Sequence, residues 1–187
     1  MKTRYGALAA MALWAGNACA DEAAFKNCLD ELRGPALAVG VSADTFDANT
    51  ATLLPDMGVL ELLDAQPEFK TPIWDYLAAL VDAQRIRDGQ AMLTTHAATL
   101  AQVAQAYGVD AETVVAVWGV ESDYGKTFGK RPLLTSLSTL SCFGRRQEFF
   151  RGELFATLKL LQSGDLEPEG LTGSWAGACG HTQFMPT

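Results

Sequence analysis

The sequence predicts a mostly α-helical protein. Apolar residues recur at spacings of three and four along several stretches, which is typical of helices that bury one face. Alternation with period two, the pattern of half-buried strands, hardly occurs over a useful length. The chain has 187 residues, of which 49% are hydrophobic, enough for one domain with a real core.

The first twenty residues have the composition of a signal peptide. Two basic residues precede an apolar run from Tyr5 to Trp14, and Ala18-Cys19-Ala20 matches a small-residue cleavage site. We expect residues 1–20 to be removed on export to the periplasm. A true N-terminal helix is a less favoured alternative, and the run is too short to span a bilayer. A lipoprotein signal ending at Cys19 ranks second, because Gly16 stands where such signals usually place Leu.

Residues 21–66 predict a lead-in of short helices. A helical pattern runs from Phe25 to Leu32, and Gly34-Pro35 should interrupt it. Ser42 is a candidate cap for a second helix. Residues 59–63 then form a third helical pattern.

A long helix is predicted between residues 90 and 107. Its apolar stripe would consist of Leu93, Ala97, Leu100, Ala104 and Tyr107. Gly108 follows as a helix-ending residue, because glycine readily adopts the left-handed conformation there.

Three further helical segments follow. Asp110 has the character of an N-cap, and the helix behind it should end near Gly125. Residues 136–140 predict one or two helical turns. An amphipathic helix then starts around Phe149 and should end near Gly164.

The charge balance narrows the class of partner. The formal net charge is −8, and removal of residues 1–20 takes away two basic residues and no acidic one. Phosphate binding needs a basic face, so we expect no nucleic-acid partner. No hydrophobic stretch elsewhere is long enough to predict a membrane span.

Three cysteines follow the predicted signal peptide: Cys28, Cys142 and Cys179. In an oxidising compartment we expect one disulfide and a remaining thiol, and the spacing leaves all three pairings open. The chain contains no C-x-x-C motif, and His96 and His181 are isolated in sequence. We therefore expect neither a metal site nor a cofactor.

Glu121 is the candidate general acid. It lies seven positions after Val114 and four after Val117, so it is predicted to share their buried face. Burial and the negative end of the helix dipole would both raise its pKa. A carboxyl that keeps its proton near neutral pH can protonate a glycosidic oxygen. The alternative is an ordinary last-turn residue with its head in solvent.

The segment from Gly173 to Pro186 is the second candidate feature. Its density of small residues would let the backbone approach a helix or a ligand closely. Ser174 and Gln183 would then offer hydrogen bonds to sugar hydroxyls or amides, although a tightly packed helix pair is an equal alternative. Aromatic rings are a third candidate feature, and we expect two or three of them to face a groove and stack on sugars. The candidates are Trp74, Tyr76, Trp118, Tyr124, Phe128 and Trp175.

Three motifs in order resemble the MltB-like lytic murein transglycosylases, glycoside hydrolase family 103. They are A-V-W-G-V-E-S-D-Y-G at 116–125, the stretch 137–150 and the segment 173–186. The resemblance runs from about Pro67 to the end and places a catalytic domain at 67–187. It implies a lysozyme-like helical fold that cleaves the β-1,4 bond between N-acetylmuramic acid and N-acetylglucosamine in peptidoglycan.

The resemblance also assigns roles. Glu121 falls on the catalytic Glu of the family's G-V-E-[ST] motif, and Tyr76, Ser174 and Gln183 fall on positions that line its substrate cleft. Glu121 would protonate the leaving oxygen and then take the proton of the C6 hydroxyl, closing a 1,6-anhydro ring. The expected partners are glycan strands of peptidoglycan, together with cell-wall synthesis or secretion machinery.

One departure from the family affects the expected activity. The sequence ends at Thr187, after Q-F-M-P, whereas family members continue with helices that complete the cleft. We therefore expect a fold that is incomplete on its C-terminal side. Two alternatives to the lytic transglycosylase follow: a peptidoglycan-binding remnant without turnover, and a lysozyme-type muramidase.

Overall fold

A computed structural model describes residues 8–65 and 70–187. The chain is mostly helical there, which confirms the predicted fold class. The helices are α1 Leu8–Ala38, α2 Ala43–Thr50, α3 Gly58–Asp64, α4 Ile73–Leu80, α5 Ala83–Thr95, α6 Ala97–Tyr107, α7 Ala111–Ser122, α8 Leu133–Cys142 and α9 Gln147–Ser163. Two short strands, β1 Arg131–Pro132 and β2 Thr172–Gly173, pair antiparallel.

The chain forms two compact units, each built from separate stretches of sequence. Unit one contains the described residues up to Leu60 together with Leu134–Leu171 and Thr187. Unit two contains the described residues of Glu61–Leu133 and Thr172–Pro186. The predicted division places one boundary between a lead-in at 21–66 and a catalytic domain at 67–187. That division remains a prediction.

Unit one has an aliphatic and aromatic core. α2 packs on both α1 and α9, and its Phe46 is buried. The other buried side chains of this core include Phe25, Leu29, Leu32, Val59, Leu137, Leu140, Phe150, Leu154 and Leu158. A disulfide between Cys28 and Cys142 joins α1 to α8 and settles the pairing that the sequence left open. Cys179 is a free thiol, and burial raises its pKa.

The prediction that Gly34-Pro35 interrupts the first helix is wrong. α1 continues through Pro35 to Ala38. A proline removes one helical hydrogen bond, and here the burial of Ala36 one residue later supports the final turn. The helix ends instead before Gly40, which adopts a left-handed φ of +98°. The predicted signal peptide begins outside the described residues, and its cleavage remains a prediction.

The long helix predicted at 90–107 is also wrong. The chain breaks at His96, which lies at the end of α5 and the start of α6. Of the predicted stripe, Leu100 is buried but Tyr107 is 76% exposed. The stripe fails because the break at His96 interrupts the helical periodicity. Gly108 does end α6 in the left-handed conformation, as predicted.

The local capping predictions are confirmed. Ser42 caps α2 by accepting a hydrogen bond from the Thr45 amide at 3.1 Å. Gly164 ends α9 with a left-handed φ of +79°. The predicted helices at 59–63 and 136–140 are both present and longer than the patterns indicated. Within the described ranges, no helix combines the length and apolar character that crossing a bilayer requires.

Candidate active site

Glu121 lies in the last turn of α7. The helix begins at the predicted cap, Asp110, whose carboxylate accepts a hydrogen bond from the Thr113 amide at 2.8 Å. It ends at Ser122, after which Asp123, Tyr124 and Gly125 all adopt positive φ angles. The chain therefore turns sharply away from the helix axis immediately after the candidate acid.

The prediction that Glu121 belongs to the buried face of α7 is wrong. The buried residues of this helix are Val115, Gly119 and Ser122, spaced by four and three positions. Glu121 is exposed, and Val117 is 40% exposed. The small residues mark the packed face because they let a neighbouring side chain approach the helix backbone. The candidate acid thus presents its carboxyl to solvent.

Tyr124 is the side chain that packs on this face. Its hydroxyl donates a hydrogen bond to the main-chain oxygen of Arg85 in α5 at 2.7 Å. A Cβ on Gly119 would lie 2.6 Å from the Tyr124 ring, and a Cβ on Gly89 would lie 2.7 Å from its hydroxyl. Both helices therefore need glycine here. Burial raises the pKa of Tyr124.

Ion pairs hold the turn after α7. The Lys126 ammonium lies 2.9 Å from an oxygen of Asp88 in α5 and 3.5 Å from an oxygen of Asp123. The hydrogen bond from Lys126 lowers the pKa of Asp88 and raises that of Lys126. Lys126 is exposed and the two aspartates are partly exposed, so these ion pairs contribute little free energy and mainly orient the turn.

Segment 172–186, the C-terminal loop, is fastened to α7 through His181. The Trp118 indole N–H donates to His181 Nδ1 at 2.9 Å. The buried Ser122 hydroxyl donates to the main-chain oxygen of His181 at 2.6 Å and accepts from the Gly125 amide at 3.1 Å. Trp118 and Ser122 flank Glu121 in sequence, so the loop is held next to the candidate acid.

The two histidines that are isolated in sequence meet at one aromatic ring. His96 and His181 each contact the Trp118 ring edge-on, with centroid distances of 5.4 and 5.6 Å. Phe128 packs on His181 at 4.9 Å. Across residues 8–65 and 70–187, no three His, Cys, Asp or Glu side chains come together as metal ligands.

Ser174 and Gln183 both lie in the C-terminal loop. The Ser174 hydroxyl oxygen accepts from the Ala178 amide at 3.0 Å. The Gln183 amide nitrogen donates to the main-chain oxygens of Gly180 at 2.9 Å and Phe128 at 3.4 Å. These bonds leave the Ser174 hydroxyl hydrogen and the Gln183 side-chain oxygen available to a ligand.

The other end of the loop is held by the small sheet. Arg131 pairs with Gly173, and Pro132 pairs with Thr172. Gly129 comes so close to this strand that a Cβ on it would collide with the Gly173 backbone. The loop is thus fixed at residue 173 by the sheet and at residue 181 by α7.

Tyr76 lies on α4, away from these contacts. α4 has no buried residue, and its Trp74 and Tyr76 are 77% and 39% exposed. The described hydrogen bonds tie the loop of Ser174 and Gln183 to the end of α7, and they do not include Tyr76. The structure therefore leaves its ring open for stacking.

A cavity of about 210 Å³ is lined mainly by residues of α5 and α7. Its apolar lining includes Leu80, Ile86, Leu93, Val115 and Val120, and Glu121 is not among the lining residues. Glu121 therefore lies outside this cavity.

Comparison with known proteins relates this site to a family. The family described as "Transglycosylase SLT domain" matches residues 24–187, which includes most of the stretch predicted as a lead-in. Membrane-bound lytic murein transglycosylase B of Escherichia coli K12 is 34% identical over 139 residues, 69% of this chain and 38% of that protein.

Solved structures are similar over most of this chain. Pseudomonas aeruginosa SltB3 in complex with NAG-NAM-pentapeptide has a TM-score of 0.81 and 48% identity, covering 87% of this chain and 43% of that one. SltB1 from the same organism has a TM-score of 0.76 and 30% identity, covering 84% and 54%. The chain thus spans less than two thirds of the length of each of these relatives.

Proposed function

The chain belongs to the SLT-domain transglycosylase family, and we propose that it is a lytic transglycosylase of peptidoglycan with Glu121 as its acid and base. The bond cleaved is the β-1,4 linkage between N-acetylmuramic acid and N-acetylglucosamine. The product end is a 1,6-anhydromuramoyl residue. The family match over residues 24–187 and the peptide-bearing NAG-NAM ligand of the similar SltB3 structure support this choice of substrate.

The arrangement at the end of α7 is the observation that carries the proposal. The exposed carboxyl of Glu121 lies between Trp118 and Ser122, the two residues that fasten the C-terminal loop. That loop brings the polar side chains of Ser174 and Gln183. A carboxyl beside hydrogen-bonding groups suits a reaction in which the substrate supplies the nucleophile.

The proposed reaction uses one carboxyl twice. Glu121 gives its proton to the glycosidic oxygen as the bond to C1 of the muramoyl residue breaks, while the N-acetyl carbonyl of that sugar stabilises the positive charge at C1. The Glu121 carboxylate then takes the proton of the C6 hydroxyl, and O6 bonds to C1. Most glycosidases divide this work between two carboxyl groups.

Glu121 is exposed in the free chain. In the proposed reaction the bound glycan covers its carboxyl and keeps water away from C1 while the anhydro ring closes.

The remaining candidate residues bind substrate in this proposal. The Ser174 hydroxyl and the Gln183 side-chain oxygen bond to sugar hydroxyls or amides. The exposed ring of Tyr76 offers a flat apolar face that stacks on a sugar ring.

The proposed location is the periplasm, reached with residues 1–20 as signal peptide, and lipoprotein anchoring at Cys19 ranks second. The disulfide between Cys28 and Cys142 supports an oxidising compartment. Glycan strands are the proposed partner, and contacts with cell-wall synthesis or secretion machinery belong to the same proposal.

Digestion of purified sacculi tests the function. We expect the chain to release anhydromuropeptides, identified by mass spectrometry, and Glu121→Gln to lower the rate by a factor on the order of 10² to 10⁴. Glu112→Gln, an exposed acid in the first turn of the same helix, is the matched control and should retain activity.

Two outcomes would contradict the proposal. Products with reducing ends that carry one additional water would indicate a lysozyme-type muramidase. Sedimentation with sacculi without release of soluble fragments would indicate a binding remnant.

A further inference from the structure

We propose that His181 is a positioning residue for this reaction: it holds the C-terminal loop, and with it Gln183, against the end of α7 that carries Glu121. The inference rests on the proposed function for its kinetic consequence. Its structural part concerns the loop alone and can be tested without substrate.

His181 bonds to α7 through two separate groups. Its ring nitrogen Nδ1 accepts the Trp118 indole N–H at 2.9 Å, and its main-chain oxygen accepts the Ser122 hydroxyl at 2.6 Å. The two donors lie three residues before and one residue after Glu121. A displacement of His181 from either donor therefore changes the distance between the loop and the candidate acid.

The bond from Trp118 requires one form of the imidazole. An indole N–H can only donate, so Nδ1 must carry a lone pair, and the proton of the neutral ring must lie on Nε2. A side chain of similar shape without an acceptor at that position cannot replace it. This distinguishes the hydrogen bond of His181 from its packing.

The packing around the ring is close. A Cβ on Gly125 would lie 2.5 Å from the His181 ring carbon Cε1, and the Phe128 ring contacts the imidazole edge-on. The ring therefore occupies a defined position between the turn after α7 and the residues that follow it. An aromatic replacement preserves these contacts while it removes the acceptor.

Gln183 depends on this anchor because it follows two residues later in the same turn. It adopts a left-handed φ of 49°, and its side chain donates to Gly180 and Phe128. The sheet pairs the loop at Thr172 and Gly173, at its other end. The half of the loop that contains Gln183 is held by the Cys179–Phe184 pairing, by the bond from Gln183 to Phe128 and by His181, and of these three only His181 bonds to α7.

Two variants separate the hydrogen bond from the packing. His181→Phe keeps an aromatic ring but offers no acceptor, and His181→Asn restores an acceptor on a shorter side chain. Thr182→Ala, at the adjacent position in the loop, is the control. Circular dichroism and thermal unfolding establish that each variant is folded.

The first readout is amide hydrogen exchange of the free chain. We expect His181→Phe to speed exchange across residues 177–184 at least threefold, and His181→Asn and Thr182→Ala to stay near the wild-type rates. Trp118→Phe removes the same bond, so adding it to His181→Phe should cause no further increase. Unchanged exchange in His181→Phe would overturn the proposal whatever the activity.

The second readout is the rate of glycan cleavage. We expect His181→Phe to lower kcat on the order of ten- to a hundredfold with a smaller change in KM. The reason is that misplacing a positioned group reduces stabilisation of the transition state more than binding of the substrate. His181→Asn should recover most of that loss. Equal kcat for His181→Phe and wild type, or equal loss in both variants, would overturn the positioning role.

The two proposals fail separately. Absence of anhydro products from the wild-type chain would overturn the proposed function, while hydrogen exchange would still decide whether His181 holds the loop. Wild-type release of anhydro products with unchanged exchange in His181→Phe would overturn the His181 proposal alone.

Discussion

Substitution of Gly119 by alanine tests the packing that orients the end of α7. An alanine in a helix interior is ordinarily more stable than glycine by about 0.5–1 kcal/mol, because glycine loses more backbone entropy on folding. At Gly119, however, the added Cβ would lie 2.6 Å from both Cζ and the hydroxyl oxygen of Tyr124 and 2.8 Å from Cε1. All three distances are far below van der Waals contact.

The expected sign follows from comparing the two effects. Overpacking of a close-packed site costs about 1–3 kcal/mol. If the ring moves, the hydrogen bond from Tyr124 to the Arg85 main-chain oxygen is lost as well, a further contribution of about 1 kcal/mol. These contributions exceed the helix gain, so we expect Gly119→Ala to lower the free energy of unfolding by about 1–3 kcal/mol.

Gly152 offers a matched control. It lies within α9, and a Cβ on it would meet nothing within 4 Å. Gly152→Ala should therefore raise the free energy of unfolding by up to about 1 kcal/mol. Urea unfolding followed by circular dichroism gives both values, provided that the dependence of the free energy of unfolding on urea concentration is unchanged. Equal stabilisation by the two substitutions would refute the close packing of Tyr124 on α7.

Two other predictions concern unfolding. Cys142→Ser should lower the free energy of unfolding by about 2–5 kcal/mol, because the lost disulfide links residues 114 positions apart. The wild type in reductant should match the variant. Equal urea midpoints of the wild type with and without reductant would contradict this prediction. The hydrogen bond from Lys126 lowers the pKa of Asp88 in the folded state. The ionised Asp88 therefore stabilises the fold above its unfolded pKa of about 3.9, and this stabilisation is lost as the pH falls through the lower pKa of the folded state. Asp88→Asn should therefore lose slightly less stability than the wild type between about pH 5 and pH 2, and parallel pH profiles would count against the ion pair.

The helix ends were the most predictable part of the fold. Ser42, Asp110, Gly108 and Gly164 all act as caps at the positions that the sequence indicated. Capping depends on a side chain or a φ angle within a few residues of the helix end, so it can be read locally.

Two helix boundaries could not be predicted in this way. The sequence suggested a break at Pro35, where α1 continues, and continuity at His96, where the chain breaks. Ala36, next to Pro35, is buried, and His96 contacts the Trp118 ring of α7, so both boundaries lie at tertiary contacts. The apolar spacing across His96 is regular in sequence, yet of the predicted stripe only Leu100 is buried.

The amino-acid sequence by itself determined the helical class, the caps, and the motifs that identify the family and mark Glu121. Only the tertiary structure decided that Glu121 is exposed, that Cys28 pairs with Cys142, and that His181 joins the C-terminal loop to α7. The physical reason is that the burial of a side chain and the pairing of cysteines depend on contacts between segments that are distant in sequence. Small residues such as glycine and serine can mark a packed face as well as large apolar ones do, and periodicity based on hydrophobicity does not register them.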